Sequence, residues 1–310
     1  ERVEREAGYK KYVEAQGLLD ALEGEDTVLI RGSWLLNQER GYVLPKRDEL
    51  PPEAIISADE LRSSYEGRGM SFAEWSFPII AVSHCWRTKA HPDPEGVTTR
   101  MLQEQLAKVR LEFTRIRVFS DVGIFFDWCS LWQTPRTSEQ QECFDRALRA
   151  INLWYANCKT DAWLVTDARV PHADGRLLGY ADKGWTMFER TLVGMIKANS
   201  GSQIRELGGV LGITRRTPKP PAEPLGFCAG HLYGKQVYTN GSDRDRIVAP
   251  HFKKATEDIL GGVMELYYYR QIWDDVDAAR LGLVLPLCVS LRTLQLWRVG
   301  LTSRGLRAIL

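Results

Sequence analysis

Pro78-Ile-Ile-Ala-Val-Ser83, continuing as His84-Cys85-Trp86, decides how the chain is read. A short apolar run ending abruptly in polar and aromatic residues is the pattern of a buried strand that stops at a functional edge. Two more runs repeat it. Val122-Gly-Ile-Phe-Phe126 ends at Asp127-Trp128-Cys129, and Ala162-Trp-Leu-Val165 ends at Thr166-Asp167. Between the first two, Met101, Leu102, Leu106, Val109 and Phe113 recur at helical spacing over 98–113. Between the next two, Ser138 is an N-cap with Gln141 three residues on, and Phe144, Leu148, Ile151 and Tyr155 follow on one helical face. A polar loop with Pro171 and Gly175 then delivers a third helix, Gly184-Trp-Thr-Met-Phe-Glu-Arg-Thr-Leu-Val-Gly-Met-Ile196. Residues 78–198 therefore predict strand–helix three times over, an α/β fold with a parallel sheet and right-handed crossovers.

In such a sheet, ligands bind outside the carboxyl ends of the strands. Ser83, His84 and Trp86 leave the first strand, Asp127, Trp128 and Cys129 the second, and Asp167 the third. The third helix adds Trp185 and Glu189. On it Trp185, Leu192 and Ile196 share a side, and Glu189 falls inside that apolar stripe. A carboxylate aimed at a core is costly without partners or a task. Glu189 is either a catalytic carboxylate lining a cleft or a buried acid held by strand-end groups such as Ser83.

The totals narrow the class. An apolar share of 44% and a charged share of 26% belong to a globular chain with a real core. A net charge of +1 gives no reason to expect nucleic-acid or acidic-membrane binding. No apolar run reaches the roughly 18 residues that span a bilayer. The six cysteines are scattered without a CxxC pair, which predicts reduced thiols in a cytoplasmic protein. The five histidines lack ligand spacing, so no metal is expected. The 91–96 loop has no phosphate-cradling glycine series, which argues against a nucleoside-triphosphate site. His84 beside Cys85 is a poor nucleophile pair, because adjacent strand residues point to opposite faces.

Outside the three units the signal is plainer. Residues 1–76 predict an N-terminal arm: a charged surface helix over 1–24, a proline-marked segment of extended or irregular structure, and a helix over 57–65 opened by Ser57. Residues 77–200 form the α/β domain. Residues 201–277 are expected to be a connector, with proline-rich 215–224 and a helix running from near Ser242 past Pro250 toward Leu260. Over 278–310 leucine takes over, at Leu287, Leu291, Leu294, Leu296, Leu301, Leu306 and Leu310. Glu1 at the start and a leucine pattern interrupted at the end suggest a piece of a longer protein.

Leu291-x-x-Leu294-x-Leu296-x-x-Val299-x-Leu301, followed by Thr302-Ser-Arg-Gly-Leu306, resembles a leucine-rich repeat of the ribonuclease-inhibitor type, with Val299 where that family has Asn or Cys. The resemblance implies further repeats and a protein partner bound by them. The α/β part resembles fungal heterokaryon-incompatibility (HET) domains and the TIR domains of immune receptors. Val82-Ser83-His84-Cys85-Trp86 is similar to the first HET motif, and Asp127 and Gln133 keep the spacing of the second, with Cys129 one position early. Tyr155-Ala156 is similar to the end of the next HET helix, and Trp185 with Glu189 matches the Trp-x-x-x-Glu spacing that both families share. The resemblance implies a flavodoxin-like (TIR-like) sheet flanked by helices, a signalling or defence role, and self-association through this domain. It further implies Glu189 as the catalytic residue for cleaving the nicotinamide glycosidic bond of NAD, a substrate rather than a cofactor. Ser83, His84, Trp86, Asp127, Trp128 and Trp185 are the residues expected to hold the nucleotide. The other outcome is a non-catalytic interaction module on the same fold, since fold alone does not settle activity.

Overall fold

Three apolar runs are too few to close a sheet, and the chain recruits the rest from segments without such runs. The computed structural model describes the chain apart from residues 1, 67–78, 112–120, 168, 173, 198–202, 210–211, 216–235, 239 and 270–272. Pro78, Phe113, most of the proline-rich 215–224 segment and Cys228 lie outside the described residues. The strands are β1 (Leu29–Arg31), β2 (Ile55–Ile56), β3 (Ile79–His84), β4 (Gly123–Phe125), β5 (Asp161–Val165), the short hairpin β6 (Val170–Pro171) and β7 (Leu177–Leu178), then β8 (Ile204–Gly209), β9 (Gly212–Arg215), β10 (Glu265–Tyr269) and β11 (Thr293–Trp297). Seven of them form one sheet in the order β2-β1-β4-β3-β5-β8-β9. The four central strands, β4, β3, β5 and β8, are mutually parallel. Antiparallel pairs finish both edges, β1 and β2 beside β4 and β9 beside β8.

The sheet is therefore mixed. The 25–56 segment, expected as an arm of extended or irregular structure, supplies two edge strands of the sheet, and the region after 200 supplies the fourth parallel strand. The fully parallel expectation holds only for the centre. Such an α/β fold needs helices on both faces, and side-chain alternation sorts them. Ile79 and Ala81 of β3, Phe125 of β4 and Ala162 and Leu164 of β5 belong to one apolar cluster. That cluster is completed by α1 (Arg2–Val13), α2 (Gln16–Glu23), α8 (Ile151–Ala156), α9 (Gly184–Ile196) and α10 (Ala249–Gly262). Ile80 and Val82, Ile124 and Phe126, and Trp163 and Val165 belong to a second cluster, covered by α3 (Gly32–Asn37) and α5 (Val97–Leu111).

Local chemistry sets the helix ends. Ser57 and Glu60 cap α4 (Ala58–Glu66) reciprocally. Thr137 and Gln140, one position before the expected Ser138 and Gln141, form the box that opens α7 (Ser138–Arg149). The long helix expected through Tyr155 breaks at Ala150, where φ −96° and ψ 3° leave the helical basin, and α8 begins there. The helix expected near Ser242 is a π-helical turn, Arg244–Val248, that runs directly into α10 with Pro250 in its first turn. Asp127–Ser130 adds the one-turn α6 after β4. Among the described residues, no helix is long and apolar enough to cross a membrane.

The last part of the chain repeats itself. β10 pairs in parallel with β11, Leu266 beside Leu294 and Tyr268 beside Leu296, an offset of 28 residues. The helices after them, α11 (Asp275–Val284) and α12 (Ser303–Ile309), start with the same offset, and their N-caps Asp274 and Thr302 keep it too. Position 278, expected to open the leucine-rich part, falls inside α11, and the first of two strand–helix units begins at Glu265. Asp275 bonds the Thr302 hydroxyl (2.6 Å) and so ties one unit's helix start to the next.

Candidate functional site

β3 and β5 run in register to their carboxyl ends, Ser83 beside Leu164 and His84 beside Val165. Because successive side chains alternate, Ser83 and His84 enter opposite layers. The residues expected to form one site are thereby divided into two groups.

The first group lies under α9. Gly184 opens that helix against Tyr238, where a Cβ would sit 2.1 Å from the ring. Phe188, Leu192, Val193 and Met195 fill the core, and Glu189 comes in with them, 9% exposed. Its Oε2 accepts from the Ser83 hydroxyl at 2.5 Å, and Ser83 Oγ lies 2.5 Å from the Tyr180 hydroxyl. Serine has a single hydroxyl proton, so the chain of donation runs from Tyr180 to Ser83 to Glu189. Tyr180 is held in place by its own turn: Asp182 accepts from Gly179 N–H at 2.7 Å, and Thr186 of α9 donates to the Tyr180 carbonyl at 2.5 Å. Tyr155 of α8 donates to the Val82 carbonyl at 3.2 Å and flanks the same carboxyl.

Burial pushes Glu189 up to about 8, with Ser83 holding it back, Asp127 adding to the rise and Tyr155 opposing it. At pH 7 Glu189 is a neutral acid. The buried Cys85 thiol is raised to about 12, chiefly by burial. Trp185 belongs elsewhere: its Nε1 donates to Asp243 at 3.1 Å and its ring packs edge-on to Phe188.

The second group lies on the other face. The His84 ring packs 4.2 Å from Phe126, and its Nε2 is 3.2 Å from Asp127 Oδ1. Burial lowers its pKa, against the pull of Asp127 and Asp93, so His84 is neutral. Asp127 accepts from Trp86 Nε1 at 2.7 Å and from Trp128 N–H at 2.7 Å. Trp128 in turn donates to the Leu44 carbonyl at 3.0 Å, and Trp86 meets it edge-on. Gln133 donates to the Asp127 carbonyl at 3.1 Å, which closes the loop after α6. Cys129 is fully buried with its thiol raised well above the ordinary range by burial, which excludes a resting thiolate.

Of the expected nucleotide-holding residues, Ser83 thus sits with Glu189, His84, Trp86, Asp127 and Trp128 cluster together across the sheet, and Trp185 joins neither. Two participants were missed. Tyr180 comes from a polar loop 97 residues from Ser83, with no periodicity to flag it. Arg87, 3.4 Å from Asp167, directly follows the Ser83–Trp86 stretch, and a lone arginine after a strand end carries no pattern of its own. Among the described residues no cluster of His, Cys, Asp and Glu could hold a metal ion. No protein-family model, no curated protein and no solved structure matches the chain. Its class rests on its own geometry: an α/β protein with a mixed sheet and a buried acid beneath the carboxyl ends of its central strands.

Proposed function

We propose that the chain is a TIR/HET-like signalling module of the non-catalytic kind, in which protein contact is the output and Glu189 belongs to the framework. The fold part is supported by the order of the parallel strands. Numbered among themselves along the chain they run 2-1-3-4, as in the first four strands of a flavodoxin-like sheet. The observation that carries the non-catalytic reading is the closed relay Tyr180–Ser83–Glu189. A carboxylate that stabilises an oxocarbenium-like sugar must be ionised and within reach of it. Glu189 is neutral at pH 7, 9% exposed, and already bonded to Ser83.

The two 28-residue strand–helix units support the leucine-rich-repeat reading and a contact role. Their sheet carries Tyr267 stacked on Tyr269, and Tyr269 meets Trp297 at 5.6 Å, with Trp297 59% exposed. An exposed tryptophan beside half-buried tyrosines is the kind of aromatic group that anchors protein partners.

A second reading, cleavage of the nicotinamide bond of NAD, is favoured by position: Glu189 lies below the carboxyl end of β3, where α/β sheets take ligands. It requires Tyr180 to move aside and Glu189 to lose its proton. Incubating concentrated protein with NAD decides between them. We expect no nicotinamide release from wild type or Glu189→Ala, with self-association followed by sedimentation. Release by wild type that the folded Glu189→Ala protein lacks would establish the enzyme instead.

A further inference from the structure

The last part of the chain carries charge of one sign only. From Ala278 to Leu310 there are five arginines (Arg280, Arg292, Arg298, Arg304 and Arg307) and no aspartate, glutamate or lysine, in a chain whose net charge is +1. The three acids just before that stretch are already engaged at the start of α11. Asp274 caps the helix, accepting from Val276 N–H and Asp277 N–H at 2.9 Å each. Asp275 holds Thr302 and sits in the field of Arg304, and Asp277 lies 3.5 Å from Arg280. Arg292, Arg298 and Arg307 are exposed and form no ion pair among the described residues.

Two of these three bracket β11. Arg292 precedes Thr293 and Arg298 follows Trp297, a separation of about 20 Å along a strand. Between them the open face of the sheet presents Gln295 and Trp297, with Tyr267 beside Gln295 and Tyr269 beside Trp297 in register. Glu265, at the start of β10, is the one acid on the two strands. Arg298 has φ +56°, a left-handed conformation that favours glycine and that Gly300 adopts at φ +65°. The turn thus holds a charged side chain where glycine would suit the backbone better.

We propose that β11 and its two flanking arginines dock an acidic, extended segment of a partner protein, with Trp297 as the central anchor. This docking rests on the contact role of the repeat units and adds the chemistry of what they bind. Arginine offers a planar fork that pairs with a carboxylate through two bonds at once, which the lysine absent from this stretch cannot do. An extended segment of about seven residues covers the same distance, so carboxylates near its two ends meet Arg292 and Arg298 while its middle crosses Gln295 and Trp297. An aromatic centre with a charged rim is the ordinary layout of a protein interface. A nucleic-acid strand is a poorer fit. Its binding grows with the number of phosphates neutralised, and two bracketing guanidiniums on a chain of net charge +1 neutralise few.

Fluorescence anisotropy of the whole chain with a labelled heptapeptide, glutamates at both ends and leucine at its centre, tests this against the same peptide with glutamine for glutamate. The acidic peptide should bind, and about tenfold more tightly than the glutamine peptide. Arg292→Ala combined with Arg298→Gly should weaken it about tenfold, as two lost exposed ion pairs, and Trp297→Ala should do so by a similar factor. Because glycine suits the left-handed position, Arg298→Gly should unfold in urea as wild type does, which isolates the charge from the fold. Arg307→Ala removes the same charge from α12 and should leave peptide binding unchanged. Absence of acidic-peptide binding, equal binding of the glutamine peptide, equal losses for Arg307→Ala and Arg298→Gly, or tighter binding of an oligouridylate of equal charge each overturns the proposal. Nicotinamide release and sedimentation, which test the proposed function, do not involve these arginines, so failure here leaves the Glu189 account standing.

Discussion

Replacing Glu189 by glutamine should make the protein more stable at neutral pH and change how its stability depends on pH. The folded-state pKa of Glu189 is raised from 4.5 to about 8. Below pH 4.5 both folded and unfolded chains carry the proton, and the buried acid contributes its full stability. As pH rises past 4.5 the unfolded chain releases its proton while the folded one keeps it, so stability falls until the folded acid also titrates near 8. Lys197 complicates only the upper range. Burial lowers its pKa to about 7, so its linkage acts above that value, where stability rises again toward the unfolded lysine pKa. Between pH 5 and 7 the Glu189 contribution stands alone among these two and amounts to about 2.5 kcal/mol. Glutamine keeps the shape and the acceptor for Ser83 but has no proton to lose. Urea unfolding followed by tryptophan fluorescence at pH 5, 6 and 7 should show the Glu189→Gln protein gaining about 2.5 kcal/mol relative to wild type across that range. Parallel pH dependences for the two proteins would mean that Glu189 is ionised in the folded state, and the closed-relay account would fail.

Other substitutions probe the same architecture. Ser83→Ala leaves the Tyr180 hydroxyl and the Glu189 acceptor without their shared partner and should cost about 1–3 kcal/mol in urea unfolding. Gly208→Ala combines a positive φ with a collision against Asp167, and should lower stability by about 1–3 kcal/mol in the same measurement. Asp274→Ala removes the N-cap that accepts from Val276 and Asp277 N–H, for a loss of about 1 kcal/mol. Trp297→Ala, on an exposed face, should change stability by less than about 0.5 kcal/mol, which separates a contact residue from a core one.

The three central strands were legible because each is a run of apolar residues with no competing period, and the helices between them because their apolar residues recur at three and four. β8 was not, since Ile204-Arg-Glu-Leu-Gly-Gly209 carries two charges and two glycines where a buried strand ordinarily shows an apolar run. It pairs anyway because β5 offers it a parallel edge. The first 28-residue unit was hidden by substitution: Tyr268 and Trp273 occupy the places that Leu296 and Leu301 hold in the second. Glu189 was conspicuous as a carboxylate in an apolar stripe, and Ser83 was correctly named as a possible partner. The division of the site into two faces was implicit in the adjacency of Ser83 and His84, by the same alternation that separates His84 from Cys85. Tyr180 had no local signature, because its role depends on a turn brought to β3 by the whole crossover.

The central claim is that Glu189 is an enclosed, neutral acid at physiological pH. Carbon-13 NMR of the glutamate side-chain carboxyls, with the Glu189→Gln protein identifying the resonance, measures this directly. The account predicts that the Glu189 signal titrates near pH 8, well apart from the exposed glutamates. Titration near 4.5 would contradict it and return Glu189 to the role of an available, ionised carboxylate.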